Sequence, residues 1–158
     1  MAHKKQILII FSLAIFLGLL RYFLLNDQEF TLIKQKRIIE EIKSFAIPTD
    51  ISGPMMVSLE FVKYHFDSGS AIFIDARDPE DYESGHIENA INIPYDYYED
   101  YEAVMNGLDD TLIYIIYCSG EECSLSIDLA DYLYNEKLID KLLIFEGGWP
   151  QWRDAGYP

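Results

Sequence analysis

Cysteine, histidine and carboxy-terminal positive charge are all scarce in this 158-residue chain. Two cysteines are too few for a disulfide-stapled framework, and too few for a structural zinc site, which wants four Cys/His ligands. His3, His65 and His86 are scattered and complete no such set, so no metal is expected. Cations are nearly absent from the second part of the chain. Residues 48–158 hold five Lys/Arg against twenty-three Asp/Glu, a net −18, whereas residues 1–47 hold seven against four, a net +3. Binding to phosphate backbones depends on Lys/Arg, so nucleic acid is excluded as a partner, and the same field slows the approach of small anions. With 158 residues there is room for one ordinary domain and an appendage.

The appendage comes first. Ile7 to Leu25 reads "ILIIFSLAIFLGLLRYFLL", nineteen residues interrupted only by Arg21. A bilayer core about 30 Å thick takes about 20 apolar residues in a helix, and an Arg near the end of the span can snorkel to the interface. Small residues before a cleavage point are missing, as is a nearby cysteine for lipidation, which favours an uncleaved anchor over a signal peptide. The expected division is an anchor at 1–27 with its transmembrane helix at about 7–25, a juxtamembrane linker at 28–54, and a domain at 55–158. Lys4 and Lys5 precede the apolar run and a long domain follows it, the usual signal-anchor order, so the domain is placed outside the cytoplasm. "TLIKQKRIIEEIKSF" (31–45) spaces its apolar residues as an amphipathic helix.

In the acidic part, "SLEFVKYHFDSG" (58–69) has a capping Ser58, apolar residues on one face and a stop at Gly69, which predicts a helix. "AIFIDARD" (71–78), "AINIP" (90–94), "TLIYIIYC" (111–118) and "KLLIFEGG" (141–148) are short apolar runs of the kind that buried parallel strands present. Between the last two, "SLSIDLADYLYNEK" (124–137) sets Leu125, Leu129 and Leu133 on one helical face. The alternation predicts an α/β fold with a mainly parallel sheet flanked by helices on both sides. Ligands of such sheets sit beyond the carboxyl ends of the strands, which selects the loops after Ile74 and Tyr117. The second loop, "YCSGEECS" (117–124), holds both cysteines before the start of a helix. Backbone amides there favour an anion, which is what a thiolate nucleophile at Cys118 needs.

These stretches resemble a rhodanese-like (sulfurtransferase) domain over residues 55–158. "DARDPEDYESGHIENAINIP" (75–94) is similar to the family's first signature, through Asp75, Arg77, Tyr82, Gly85, His86, Ile87, Ala90, Asn92, Ile93 and Pro94. The six residues Cys118 to Cys123 match the loop length of sulfurtransferases, and "GGWPQWRDAGYP" (147–158) is similar to the closing signature. The resemblance implies the three-layer rhodanese fold and sulfane sulfur carried as a persulfide on Cys118. It also implies a binding loop of Ser119, Gly120, Glu121, Glu122, Cys123 and Ser124, with Asp75 and Arg77 in support and no metal or organic cofactor. A sulfur donor and an acceptor, small molecules or protein thiols, are the implied partners; the membrane, expected from the apolar run and not from the resemblance, is held through the amino-terminal helix.

Many active relatives carry Arg or Lys in the loop, often where this chain has Cys123. Glu121 and Glu122 oppose thiolate formation if they face inward, and they repel thiosulfate, so another donor is expected. Two further readings stay open: a non-catalytic module that binds a partner protein, which the acidic, tyrosine-rich "YDYYEDYEAV" (95–104) suits, and a thiol–disulfide protein in which Cys123 pairs with Cys118.

Overall fold

The computed structural model describes residues 2–24, 41–42, 45–47, 53–120 and 123–158. It separates into two compact units, 1–38 and 39–158, each described by itself. In the first, helix α1 is Ala2–Leu24. Its described apolar side chains, among them Ile9, Ile10, Phe11, Leu13 and Phe16, are exposed. The expected transmembrane span at 7–25 is not among the findings: no helix of the described residues is long and apolar enough to cross a membrane.

The amphipathic helix expected over 31–45 lies mostly outside the described residues. Its described part departs from the expectation, since strand β1, Glu41–Ile42, pairs in parallel with β2, Met55–Val57. An edge strand exposes a row of unpaired N–H and C=O groups, and satisfying these outweighs the helical spacing of the segment.

Helix α2, Leu59–Ser68, follows, and the Ser58 hydroxyl accepts from the Phe61 N–H at its start. Then come β3, Ile72–Asp75; α3, Pro79–Ser84; β4, Ile91–Asn92; a 3-10 segment, Tyr95–Tyr101; and α4, Glu102–Met105. The chain closes with β5, Tyr114–Tyr117; α5, Leu125–Lys137; β6, Leu142–Phe145; and α6, Gly148–Asp154. The strand order is β1-β2-β6-β5-β3-β4 and every described pairing is parallel.

Each strand divides its side chains between the two faces, because alternate Cβ atoms point to opposite sides. Ile74, Tyr114, Ile116, Leu142 and Ile144 pack with Leu129 and Leu133 of α5. Phe73, Ile115, Tyr117, Leu143 and Phe145 pack with Phe61 and Val62 of α2 and Trp152 of α6. The chain is therefore an α/β protein of three layers, helix, parallel sheet, helix. The strands are shorter than the apolar runs suggest, since polar turns claim their ends. Asp109 accepts from the N–H and hydroxyl of Thr111, which delays β5 to Tyr114.

His65 of α2 is buried, and both ring nitrogens are engaged. The Phe45 carbonyl, 3.3 Å from Nε2, can only accept, so Nε2 carries the proton and Nδ1 accepts from the Ser70 hydroxyl at 2.6 Å. Burial holds the imidazole below its ordinary 6.5, partly offset by the Phe45 hydrogen bond. The folded chain thus binds this proton less readily than the unfolded one. The stability it contributes is complete above pH 6.5 and falls as the pH drops through 6.5 towards the folded value. In urea unfolding, His65→Gln is expected to be less stable than the parent at pH 7.5, and the gap is expected to shrink by pH 5.5.

Candidate functional site at the carboxyl end of β5

Strand β5 lies between β3 and β6, with Tyr117 level with Asp75 on one side and Phe145 on the other. The loops after these strands consequently leave the sheet side by side. Cys118 is the first residue beyond β5 and is 1% exposed. The chain turns at once: the Cys123 N–H donates to the Gly120 carbonyl at 2.9 Å, and the Asp128 N–H donates to the Ser124 carbonyl at 2.8 Å as α5 begins. This turn brings Cys123, half-buried, to disulfide distance of Cys118, with Cα atoms 6.4 Å apart. Ser119 is exposed, and Gly120 and Ser124 are half-buried. Glu121 and Glu122 lie outside the described residues. In the paired state Cys118 is no nucleophile; two electrons must enter before it can attack anything.

The loop after β6 holds the cysteine loop from behind. The Trp149 N–H donates to the Cys118 carbonyl at 2.9 Å. Gly148, with φ of 58°, is in the left-handed region, and a Cβ there would overlap the Cys118 carbonyl and stand 2.8 Å from the Gly120 nitrogen. From the sequence these closing residues had a place in a signature but no contact with the cysteine. The signal available was the pair Gly147-Gly148 directly before Trp149.

Asp75 and Arg77 are both buried. Arg77 donates through Nε and Nη2 to the Asp75 carboxylate, with Nη2 2.6 Å from Oδ2, and through Nη2 to the Gly85 carbonyl at 2.7 Å. Burial opposes the guanidinium charge, but Asp75, together with Tyr117 and Asp81, more than offsets it and raises the Arg77 pKa. Asn92 donates to the main-chain carbonyls of Asp75 and Arg77 at 3.1 and 2.9 Å, tying β4 to this corner. The Tyr117 hydroxyl accepts from the Ile87 N–H at 3.0 Å. Burial first, then the Asp75 charge, pushes that phenol far above its ordinary value, so it stays neutral. The guanidinium also faces the Trp149 ring, with Cζ 5.8 Å from its centroid. Asp75 and Arg77 therefore reach the cysteine loop indirectly, through Tyr117 and Trp149.

His86 stacks on Tyr82 at 3.7 Å, and its Nδ1 lies 2.8 Å from the Tyr82 carbonyl. Ser126, which the sequence reading passed over, is 1% exposed on the first turn of α5, with Oγ 3.4 Å from Cys118 Sγ. Among the described residues no group of three or more His, Cys, Asp or Glu could hold a metal ion. Gly148→Ala is expected to cost about 1–2 kcal/mol for the left-handed backbone alone. The overlap with Cys118 adds to that, and hydrogen exchange at the Trp149 amide is expected to quicken as its bond to Cys118 is lost.

The comparisons with known proteins agree with this geometry. The family model "Rhodanese-like domain" matches residues 58–155. An HTH-type transcriptional regulator of Mycobacterium tuberculosis is 33% identical over 92 residues, which is 58% of this chain and 38% of that protein. The chain thus spans well under half the length of this curated relative. Among solved structures, a protein of Bacillus halodurans superposes with a TM-score of 0.55 at 25% identity, covering 63% of this chain and 72% of its own. A rhodanese-like domain from Anabaena superposes with a TM-score of 0.52 at 22% identity, covering 64% of this chain and 74% of its own.

Proposed function

We propose, since the chain belongs to the rhodanese-like domain family, that its domain is a sulfurtransferase that carries sulfane sulfur on Cys118 and takes it from a donor other than thiosulfate. The observation that carries this reading is the place of Cys118, first residue after the central strand and at the mouth of the turn into α5. In the reaction, the Cys118 thiolate attacks the outer sulfur of a persulfide R–S–SH. The S–S bond of the donor breaks, R–S⁻ leaves, and Cys118 becomes a persulfide. An acceptor thiolate then attacks that outer sulfur and frees the Cys118 thiolate. The loop 118–124 has no Lys or Arg, and the net −18 of residues 48–158 repels a dianion such as thiosulfate, which supports a persulfide donor. No metal or organic cofactor enters this chemistry, and nucleic acid is not a partner in it.

A second reading is favoured by one observation, the disulfide distance between Cys118 and Cys123: the pair cycles between dithiol and disulfide. We also propose that Ile7 to Leu25 tethers the domain to a membrane as a single pass, with residues 28–54 as linker and residues 55–158 outside the cytoplasm. The near-unbroken apolar run supports this.

Mass spectrometry of the full chain tests the first reading. After reduction, incubation with glutathione persulfide is expected to add the mass of one sulfur to Cys118, thiosulfate to add little, and Cys118→Ser to add none. Failure of every donor to load Cys118 sinks it. For the tether, the full chain is expected to stay with membranes through alkaline carbonate washing and a chain lacking residues 1–27 to be released.

A further inference from the structure

The cysteine loop has no cation of its own, yet sulfur chemistry at Cys118 demands that its sulfur bear negative charge. Among the described residues, two polar groups touch that sulfur. The Cys123 carbonyl oxygen, 3.5 Å away, can only accept a hydrogen bond, so it favours the neutral thiol. The Ser126 hydroxyl, 3.4 Å away, can donate, so it favours the anion. It is fully buried on a regular helix, whose backbone fixes where the side chain can point. Arg77, on the loop after the neighbouring strand β3, is bound to Asp75 and Gly85.

We infer that Ser126 is a catalytic residue whose hydroxyl donates to Cys118 Sγ and stabilises its thiolate, doing for this loop what a loop cation would do. The role has a directional consequence for the disulfide. A thiolate of an external dithiol or of glutathione attacks Sγ of Cys123, the half-buried cysteine, rather than the enclosed Cys118. The Cys118–Cys123 bond breaks and its electron pair goes to Cys118 Sγ, where Ser126 stabilises it; the better-stabilised thiolate is the better leaving group. A second thiolate of the reductant then attacks the reductant's own sulfur in the mixed disulfide. Cys123 leaves as a thiolate and the reductant ends as a disulfide. Cys118 is now a thiolate ready to accept sulfur, so Ser126 serves reduction and loading alike. Only the loading step rests on the sulfurtransferase reading.

Two measurements on the full chain decide. In a Cys123→Ser background, the pH dependence of Cys118 alkylation by iodoacetamide reports the thiolate directly. Adding Ser126→Ala is expected to raise the midpoint by about one pH unit and to slow persulfide loading at pH 7 about tenfold, with Ser126→Thr restoring both. An unmoved midpoint overturns the role, even if loading falls, because packing alone would then explain the loss. Independently of any variant, the oxidised chain treated with glutathione is expected to carry the adduct on Cys123 in peptide maps, and an adduct on Cys118 overturns the inference. If the Cys123→Ser chain shows a normal alkylation midpoint but loads no sulfur, the sulfurtransferase reading fails while the role of Ser126 stands.

Discussion

A carboxylate with no exposure to water lies at the carboxyl end of β3, and most of the site's architecture serves to keep it there. Leaving a buried charge unpaired costs several kcal/mol, about 3–5 when one partner of a buried pair is removed. Asp75 meets this cost with the Arg77 guanidinium and the Arg77 main-chain N–H, which donates to Oδ1 at 3.0 Å. Arg77 in turn needs Gly85, and its cationic face lies towards Trp149. A Cβ on Gly85 would come within 2.8 Å of that indole, so the glycine is what lets the ring close over the corner. The ion pair thereby fixes the course of the chain from β3 to β4 and the position of the tryptophan whose N–H holds Cys118.

Parallel register converts this corner into a site. Because Asp75, Tyr117 and Phe145 are level across three neighbouring strands, the three following loops meet without long excursions. One supplies the ion pair, one the cysteines, one the backbone clamp. An antiparallel arrangement would send alternate loops to opposite ends of the sheet. The cysteine loop then needs few contacts of its own, since its geometry is imposed by the strand it leaves, the helix it enters and the Gly148–Trp149 backbone behind it.

The parts legible in the sequence were those written as apolar pattern. Phe73 and Ile74, Tyr114 to Tyr117 and Leu142 to Phe145 are buried on both faces and lie in continuous apolar runs, so the parallel sheet could be inferred. Leu129 and Leu133 disclosed the buried face of α5. Strand β1 was hidden, because Glu41–Ile42 sits in a helix-like pattern and owes its conformation to a partner strand. The proximity of Ser126 to Cys118 depends on how α5 is set against the end of β5, which no spacing rule encodes. Gly148 was recognisable as a family feature, but the lack of room for a Cβ beside the Cys118 carbonyl is a fact of three dimensions.

The clamp on Cys118 also sets an order of events in time. The two cysteines are five residues apart, so their meeting closes a short loop and costs little chain entropy. The contact of Gly148 and Trp149 with Cys118 spans about thirty residues and requires β6 to be docked beside β5. During synthesis the thiols therefore emerge and can find each other before the backbone that will hold them exists. A nascent chain in an oxidising compartment would complete its sheet around a cysteine pair already joined, whereas one made under reducing conditions would close the clamp over two free thiols.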